Sequence, residues 1–230
     1  MTEIEPENPR RAGLEAAEAK GIALFDAVEA AGLVKAGRRE SEVDQDIFDL
    51  ARAQFGVQRH WHKRIVRAGP NTVTIYADDP PDRIIAPDDT VYLDFGPVFG
   101  EWQADIGRSY ALGDDPQKKR LVADLSRLFG VVQAHHKASR NITGEDLYAF
   151  AQKQAAQAGW LFGAPTAGHI ILGEYSMQKP PGDTTRNSIG PGNLEPMRMP
   201  DTLARERHWI LEIHLTDHAR TFGGFYERLL

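Results

Sequence analysis

The chain has 230 residues, 41% of them apolar and 26% charged, with 33 acids against 27 bases and a formal charge of −6. At about 150 residues per domain, this length fits one large domain or two small ones. The acid excess argues against a general nucleic-acid binder, and no apolar run approaches the roughly 18 residues a membrane span needs. Zero cysteine excludes disulfides, thiolate nucleophiles and thiolate-held metals.

Residues 1–11 are acidic and proline-containing, unlike a signal or transit peptide, and are expected to be a flexible tail. The cytoplasm follows as the expected compartment by elimination. From Leu14, apolar residues at Ala17, Leu24, Phe25, Val28 and Ala31 predict a helix with one buried stripe, ending near Gly32 or Gly37. A second helix is expected from an N-cap at Ser41 through Val43, Ile47, Leu50, Ala51 and Phe55 to Gly56. Then come β-prone runs at 65–66, 72–76, 91–93 and 109–112, parted by Gly69-Pro70-Asn71, 78–81 and 87–89. Leu121, Leu125, Leu128 and Val132 mark a third helix. Thr143 caps a fourth, which runs through Leu147, Phe150 and Ala151 to a stop at Gly159. Residues 178–207 hold five prolines and three glycines, which suits a lid, a dimer arm or a disordered insert. Strands at 208–216 and 221–227 close the chain. The order predicts an α+β fold with a mostly antiparallel sheet.

Four acids sit in apolar strand contexts: Asp94 after Val91-Tyr92-Leu93, Asp105 before Ile106, Glu212 within 209–215, and Glu227 after Phe225-Tyr226. A lone ionised carboxylate buried in a sheet costs several kcal/mol unless it is paired or bound to metal. Any one of the four could face solvent at a sheet edge. All four together point to convergence on a cation, and oxygen donors suit hard or borderline ions.

The motifs Val91-Tyr92-Leu93-Asp94-Phe95-Gly96, Asp105-Ile106-Gly107-Arg108 eleven residues on, Ala167-Gly168-His169, Ile210-Leu211-Glu212 and Gly223-Gly224-Phe225-Tyr226-Glu227 follow in order. In them the chain resembles the pita-bread metallohydrolases: methionine aminopeptidases, Xaa-Pro aminopeptidases and dipeptidases, and creatinase. The resemblance covers residues 12–230, which implies one catalytic domain without the extra N-terminal domain of the creatinase and prolidase relatives. It implies a curved, mostly antiparallel sheet covered by two pairs of helices. It also implies a two-metal centre held by Asp94, Asp105, His169, Glu212 and Glu227, with Asp105 and Glu227 bridging and Glu212 able to take a proton. One imidazole, four carboxylates and no sulfur favour Mn, Fe or Co, with Zn admissible. Two such ions can share a water and lower its pKa.

The pattern departs from the family's peptidases at two substrate-side histidines. Residues 69–76 and 173–180 occupy the matching stretches, with Met177 and Gln178 where a histidine–glutamate pair is expected. Other histidines are candidates to take over. His214 shares a strand face with Glu212, and His62, beside Trp61, is a candidate pocket residue that could share a face with His60. Tyr76 and Trp102 are candidate pocket walls, with core packing the plainer role. His135-His136 is expected to be solvated. Arg108 fits either an ion pair behind the site or a surface side chain.

The expected function is a dinuclear-metal hydrolase of the aminopeptidase or dipeptidase type, cutting an amide or other C–N bond of a small peptide-like substrate, most simply as a homodimer. The alternatives are the same centre turned to dehydration, decarboxylation or oxidation of a small metabolite, and a non-catalytic binding module.

Overall fold

A computed structural model describes residues 8–180, 182 and 184–230. Its elements in chain order are α1 (Asn8–Ala30), α2 (Glu40–Phe55), β1 (Ile65–Ala68), β2 (Thr90–Phe95), β3 (Val98–Phe99), β4 (Trp102–Gln103), β5 (Ile106–Ala111), α3 (Pro116–Ala138), α4 (Gly144–Gln157), β6 (Leu161–Phe162), β7 (Gly168–Ile171), β8 (His208–Thr216) and β9 (Gly223–Leu229). The expected α+β class holds. One sheet runs β1-β2-β5-β9-β8-β6, with β7 also on β8, and β3 and β4 form a separate hairpin. Every pairing is antiparallel.

Helix starts follow local chemistry. Asp115 accepts from the backbone N–H of Gln117 and Lys118 ahead of Pro116. Thr143 accepts from Asp146 N–H at 3.0 Å, as its sequence suggests. At α2 the expected Ser41 cap is not used. Arg39 takes the cap position, and the Glu42 carboxylate reaches back to its N–H at 2.9 Å. Ser41 lies inside the first turn, bound to Asp82. α1 begins at Asn8, so residues 8–11, expected as tail, form its first turn; residues 1–7 lie outside the described residues.

Two apolar cores lie under the sheet. One joins α1 and α2 to Val91, Leu93, Phe95 and Ile106; the other joins α3 and α4 to Trp209, Leu211, Ile213 and Leu215. Each fully buried Leu, Ile or Phe contributes about 1.5–3 kcal/mol, enough in sum to offset a costly polar site elsewhere. Both helix pairs cover the same face, except that Leu14 near the start of α1 packs with Ile210 and Leu229 on the other. Gly107 stands opposite Glu227, so Ile106 and Tyr226 share the helix face, where Tyr226 meets Phe129 of α3.

The run 72–76 is not a strand. Residues 69–73 form a 3₁₀ turn with Pro70 in its first positions. The buried Glu40 carboxylate binds Asn71 Nδ2 (3.1 and 2.9 Å) and Ala68 N–H (2.6 Å). Arg67, also buried, donates to the carbonyls of Thr74, Ile75 and Asp78. These anchors override the β propensity of the Thr-Val-Thr-Ile-Tyr run.

The described residues of 178–207 are irregular, as expected, apart from a 3₁₀ turn at Thr184–Asn187, but much of the segment is packed. Ile189 and Met197 are buried in the α3–α4 core. Arg207 donates to the carbonyls of Arg186, Pro196 and Met199. Among the described residues no helix is long and apolar enough to cross a membrane.

Candidate metal centre

Strand alternation places the acids. Along β2, Val91, Leu93 and Phe95 take the helix side, so Tyr92 and Asp94 take the other. Along β8, the residues from Trp209 to Leu215 at every second position are buried under α3 and α4, which leaves Ile210, Glu212 and His214 on the open face. Asp94 pairs with Gly107, Gly107 with Glu227, and Glu227 with Glu212. The three carboxylates and one glycine therefore form a single row across four strands. Asp105 enters from just before β5, and His169 arrives on β7 opposite Ile210.

Gly107 has a steric task in this row. A Cβ there would sit 2.6 Å from the Phe225 ring and 2.9 Å from Glu227 Cβ. Any side chain would push Glu227 out of line.

The five expected ligands converge. His169 Nε2 is 3.4 Å from Asp105 Oδ2 and 3.3 Å from Glu212 Oε1. Ligand atoms of Asp105, His169 and Glu227 lie within 4.8 Å of one another. His62 also reaches the cluster, with Nε2 2.9 Å from Asp105 Oδ1 and 3.7 Å from Asp94 Oδ1. Ligand atoms of His62, Asp94 and Asp105 make a second group within 4.8 Å.

The charge balance is strained. Burial, then the charges of Asp105 and Glu212, pushes the Asp94 carboxyl up to about 7 against the pull of His62 and His169. Burial also raises Glu212, helped by Asp105 and opposed by His169. Glu227 is raised well above the usual carboxylate range, first by burial and then by Asp105, Asp94 and Glu212. Burial alone would lower His62, yet Asp105, which it also hydrogen-bonds, and Asp94 hold it at about 9. His169 is likewise raised, the carboxylates of Glu212 and Asp105 outweighing burial.

Asp105 and Glu227 are 3% and 2% exposed, and Asp105 Oδ2 and Glu227 Oε2 have no hydrogen-bond partner among the described residues. An unpartnered buried carboxylate oxygen costs several kcal/mol. A cation is the partner that such oxygens lack, and the residues present fit a pair of divalent ions.

The other expected site residues are placed as follows. His214 is on the open face, buried between Tyr92 and Phe225, with Nε2 2.8 Å from the Thr72 carbonyl. Burial lowers its pKa to about 4. Tyr76 is 52% exposed, its ring 6.0 Å from that of His62 and capped by Lys63 Nζ at 4.7 Å. Trp102 packs against the α1–α2 core and bridges to Glu174. Met177 is half-buried, its N–H on the Glu174 carbonyl.

Two expectations change, and one of the two readings of Arg108 is met. His60 and His62 do not share a face: His60 packs against Phe48 and Phe95, since no strand runs through 60–62. Neither member of the pair His135-His136 is simply solvated. His135 stacks on Phe150 at 3.8 Å, and burial lowers His136 to about 4. Arg108 points to the helix face and pairs with Asp26 and Glu29 of α1.

Sequence reasoning gave Trp61 and Gly96 no role. The Trp61 indole N–H donates to the Ala104 carbonyl at 2.9 Å, and its ring meets the rings of His62 at 4.6 Å and His169 at 5.7 Å. Gly96 lies against both His62 and Trp61. The usable signal was the His-Trp-His triplet itself.

Comparison with known proteins bears on the fold and the family. No curated protein sequence matches. Among solved structures, the chain is similar to the dipeptidase PepE from Mycobacterium ulcerans (23% identity, TM-score 0.69, 95% of this chain and 55% of that one). It is also similar to a prolidase from Thermococcus sibiricus (20%, 0.66, 93% and 55%). A third is an X-prolyl aminopeptidase from Caenorhabditis elegans, described as a cytosolic enzyme with a di-nuclear active site (17%, 0.68, 96% and 35%). The chain thus spans about half the length, or less, of these relatives. Their shared architecture is the pita-bread fold that the motifs implied. Residues 12–194 match the sequence profile of Metallopeptidase family M24, and the chain belongs to that family.

Proposed function

We propose that the protein is a metal-dependent hydrolase of the aminopeptidase or dipeptidase kind, with two divalent ions held by Asp94, Asp105, His169, Glu212 and Glu227. The observation that carries this reading is the pair of buried carboxylate oxygens without a hydrogen bond, Asp105 Oδ2 and Glu227 Oε2, inside a cluster of four carboxylates. Four negative charges match two dications, and an oxygen-rich donor set with imidazole and no thiolate favours Mn, Fe or Co.

When bound, such ions supply a water of lowered pKa and a Lewis acid for a substrate carbonyl. The chain's own residues do the rest. Asp105 belongs to both groups of donor atoms and suits bridging, the role the resemblance also gives Glu227. Glu212, whose proton affinity burial raises, is half-buried in the site and suits proton transfer from the attacking water to the leaving nitrogen. Trp61 walls the centre, and Tyr76 with Lys63 lies at its rim next to His62. A small peptide-like substrate would enter past these groups.

A second reading rests on one observation. The stretches that would carry the family's two substrate-side histidines are a 3₁₀ turn anchored by Glu40 and a turn at Met177, neither with a histidine. That favours the same centre acting on a small metabolite by a non-peptidase step. Hydrolysis of Xaa-Pro dipeptides and Met-initiated peptides under Mn and under Co separates the two. Turnover dependent on metal supports the first reading; a fully loaded protein inert toward both substrate classes supports the second.

A further inference from the structure

We propose that His62 is a sixth protein ligand of the metal centre, binding through Nε2 on the Asp94 side. This rests on the two-ion reading above and extends its ligand set.

Three observations carry it. First, the spacing suits coordination. Donors that each lie about 2.1 Å from one ion stand roughly 3–4 Å apart, and His62 Nε2 is 2.9 and 3.7 Å from the Asp105 and Asp94 oxygens. Second, His62 repeats the arrangement of His169. The His62 Nδ1 lies 2.7 Å from the carbonyl of the next residue, Lys63, and His169 Nδ1 lies 2.9 Å from the carbonyl of its own next residue, Ile170. A carbonyl only accepts, so each Nδ1 carries the hydrogen and each Nε2 is the atom turned to the carboxylates. This is the anchoring that metal-bound histidines ordinarily have. Asp105 points Oδ1 at one imidazole and Oδ2 at the other.

Third, the ring is held in place. A Cβ on Gly96 would fall 2.2 Å from His62 Cδ2 and 2.5 Å from Nε2. The Cδ2–Nε2 edge of the imidazole therefore rests against bare backbone. Trp61, tied to Ala104, closes it from the side. A histidine acting as counter-ion alone would still leave Glu227 Oε2 without a partner.

The centre then divides evenly. His62, Asp94 and Asp105 come from the α1–α2 half of the sheet, and His169, Glu212 and Glu227 from the α3–α4 half. Each ion gains one nitrogen donor.

The test loads the full chain with Mn(II). Stoichiometry and affinity are measured by calorimetry and elemental analysis, and ion positions by anomalous diffraction. The expected result is two ions per chain, one of them roughly 2.0–2.2 Å from His62 Nε2. His62→Leu should weaken one of the two sites by at least about tenfold and leave the other unchanged; His169→Leu should weaken the other. Gly96→Ala, which keeps the imidazole but displaces it, should reproduce the His62→Leu loss. Two ions bound at unchanged affinity in His62→Leu, or a wild-type crystal in which Nε2 stays on Asp105 away from both ions, would overturn the proposal and leave the two-ion reading standing. Failure of the wild-type chain to bind Mn(II), Co(II) or Fe(II) would overturn both.

Discussion

Glu212 and Glu227 stand directly opposite each other across β8 and β9. Cross-strand neighbours of like charge destabilise a sheet, so full ionisation of this pair, whose carboxyls burial holds toward their protonated forms, costs free energy that a bound cation would relieve. The metal-free protein should therefore melt well below the loaded one. Ion at a hundred times its Kd adds about 2.7 kcal/mol. A thermal melt with and without Mn(II) and chelator checks this; equal midpoints would contradict it.

Removing a bridging charge should separate folding from metal binding. In Glu227→Gln the neutral amide replaces a carboxyl that burial already holds toward its protonated form. The metal-free fold should keep or gain stability, while metal and turnover fall together by more than the roughly 10–100-fold loss typical of outer-shell changes. Asp105→Asn should behave alike toward metal. Metal analysis with activity on the same preparation decides it.

The site should give the metal-free protein an unusual pH dependence. Asp94 is raised to about 7 and His62 to about 9, with Glu212, Glu227 and His169 raised as well. Each group binds its proton more tightly folded than unfolded. Its stabilising share is full below the unfolded pKa and is lost as pH rises through the folded one. Stability of the metal-free chain should thus decline from about pH 4 to about 9. Metal affinity should rise over the same window, with protons released on binding. Calorimetry in buffers of different ionisation enthalpy reads the protons directly.

His214 works in the opposite sense. Its folded pKa is depressed to about 4, so the neutral ring contributes stability above 6.5 that is lost as pH falls toward 4. His214→Ala removes the bond to the Thr72 carbonyl and leaves that buried acceptor unpaired, at a cost of about 1–3 kcal/mol. Turnover should fall and metal content should not. Loss of metal in this variant would make His214 a ligand.

Much of the centre was readable in the chain because strands alternate with period two. An acid in an apolar strand, such as Glu212, can be assigned a face without coordinates. The caps at Asp115 and Thr143 are equally local. What escaped depends on distant partners. Thr72–Tyr76 has strand composition, yet Glu40, some thirty residues earlier, binds Asn71 and turns the chain. His60 and His62 part company because residues 59–61 lie along 96–98 as an irregular segment. Gly96 reads as part of a family triplet; only packing shows that its missing side chain is the floor under His62.

The division of the fold into two cores has a mechanical consequence. The boundary between them runs along the β5–β9 pairing, and the candidate ligands lie on both banks. Ions seated there would rivet the halves together. Their removal should be felt as easier parting of that seam, seen as faster amide hydrogen exchange at Gly107 and Glu227, while the helices on either side keep their protection.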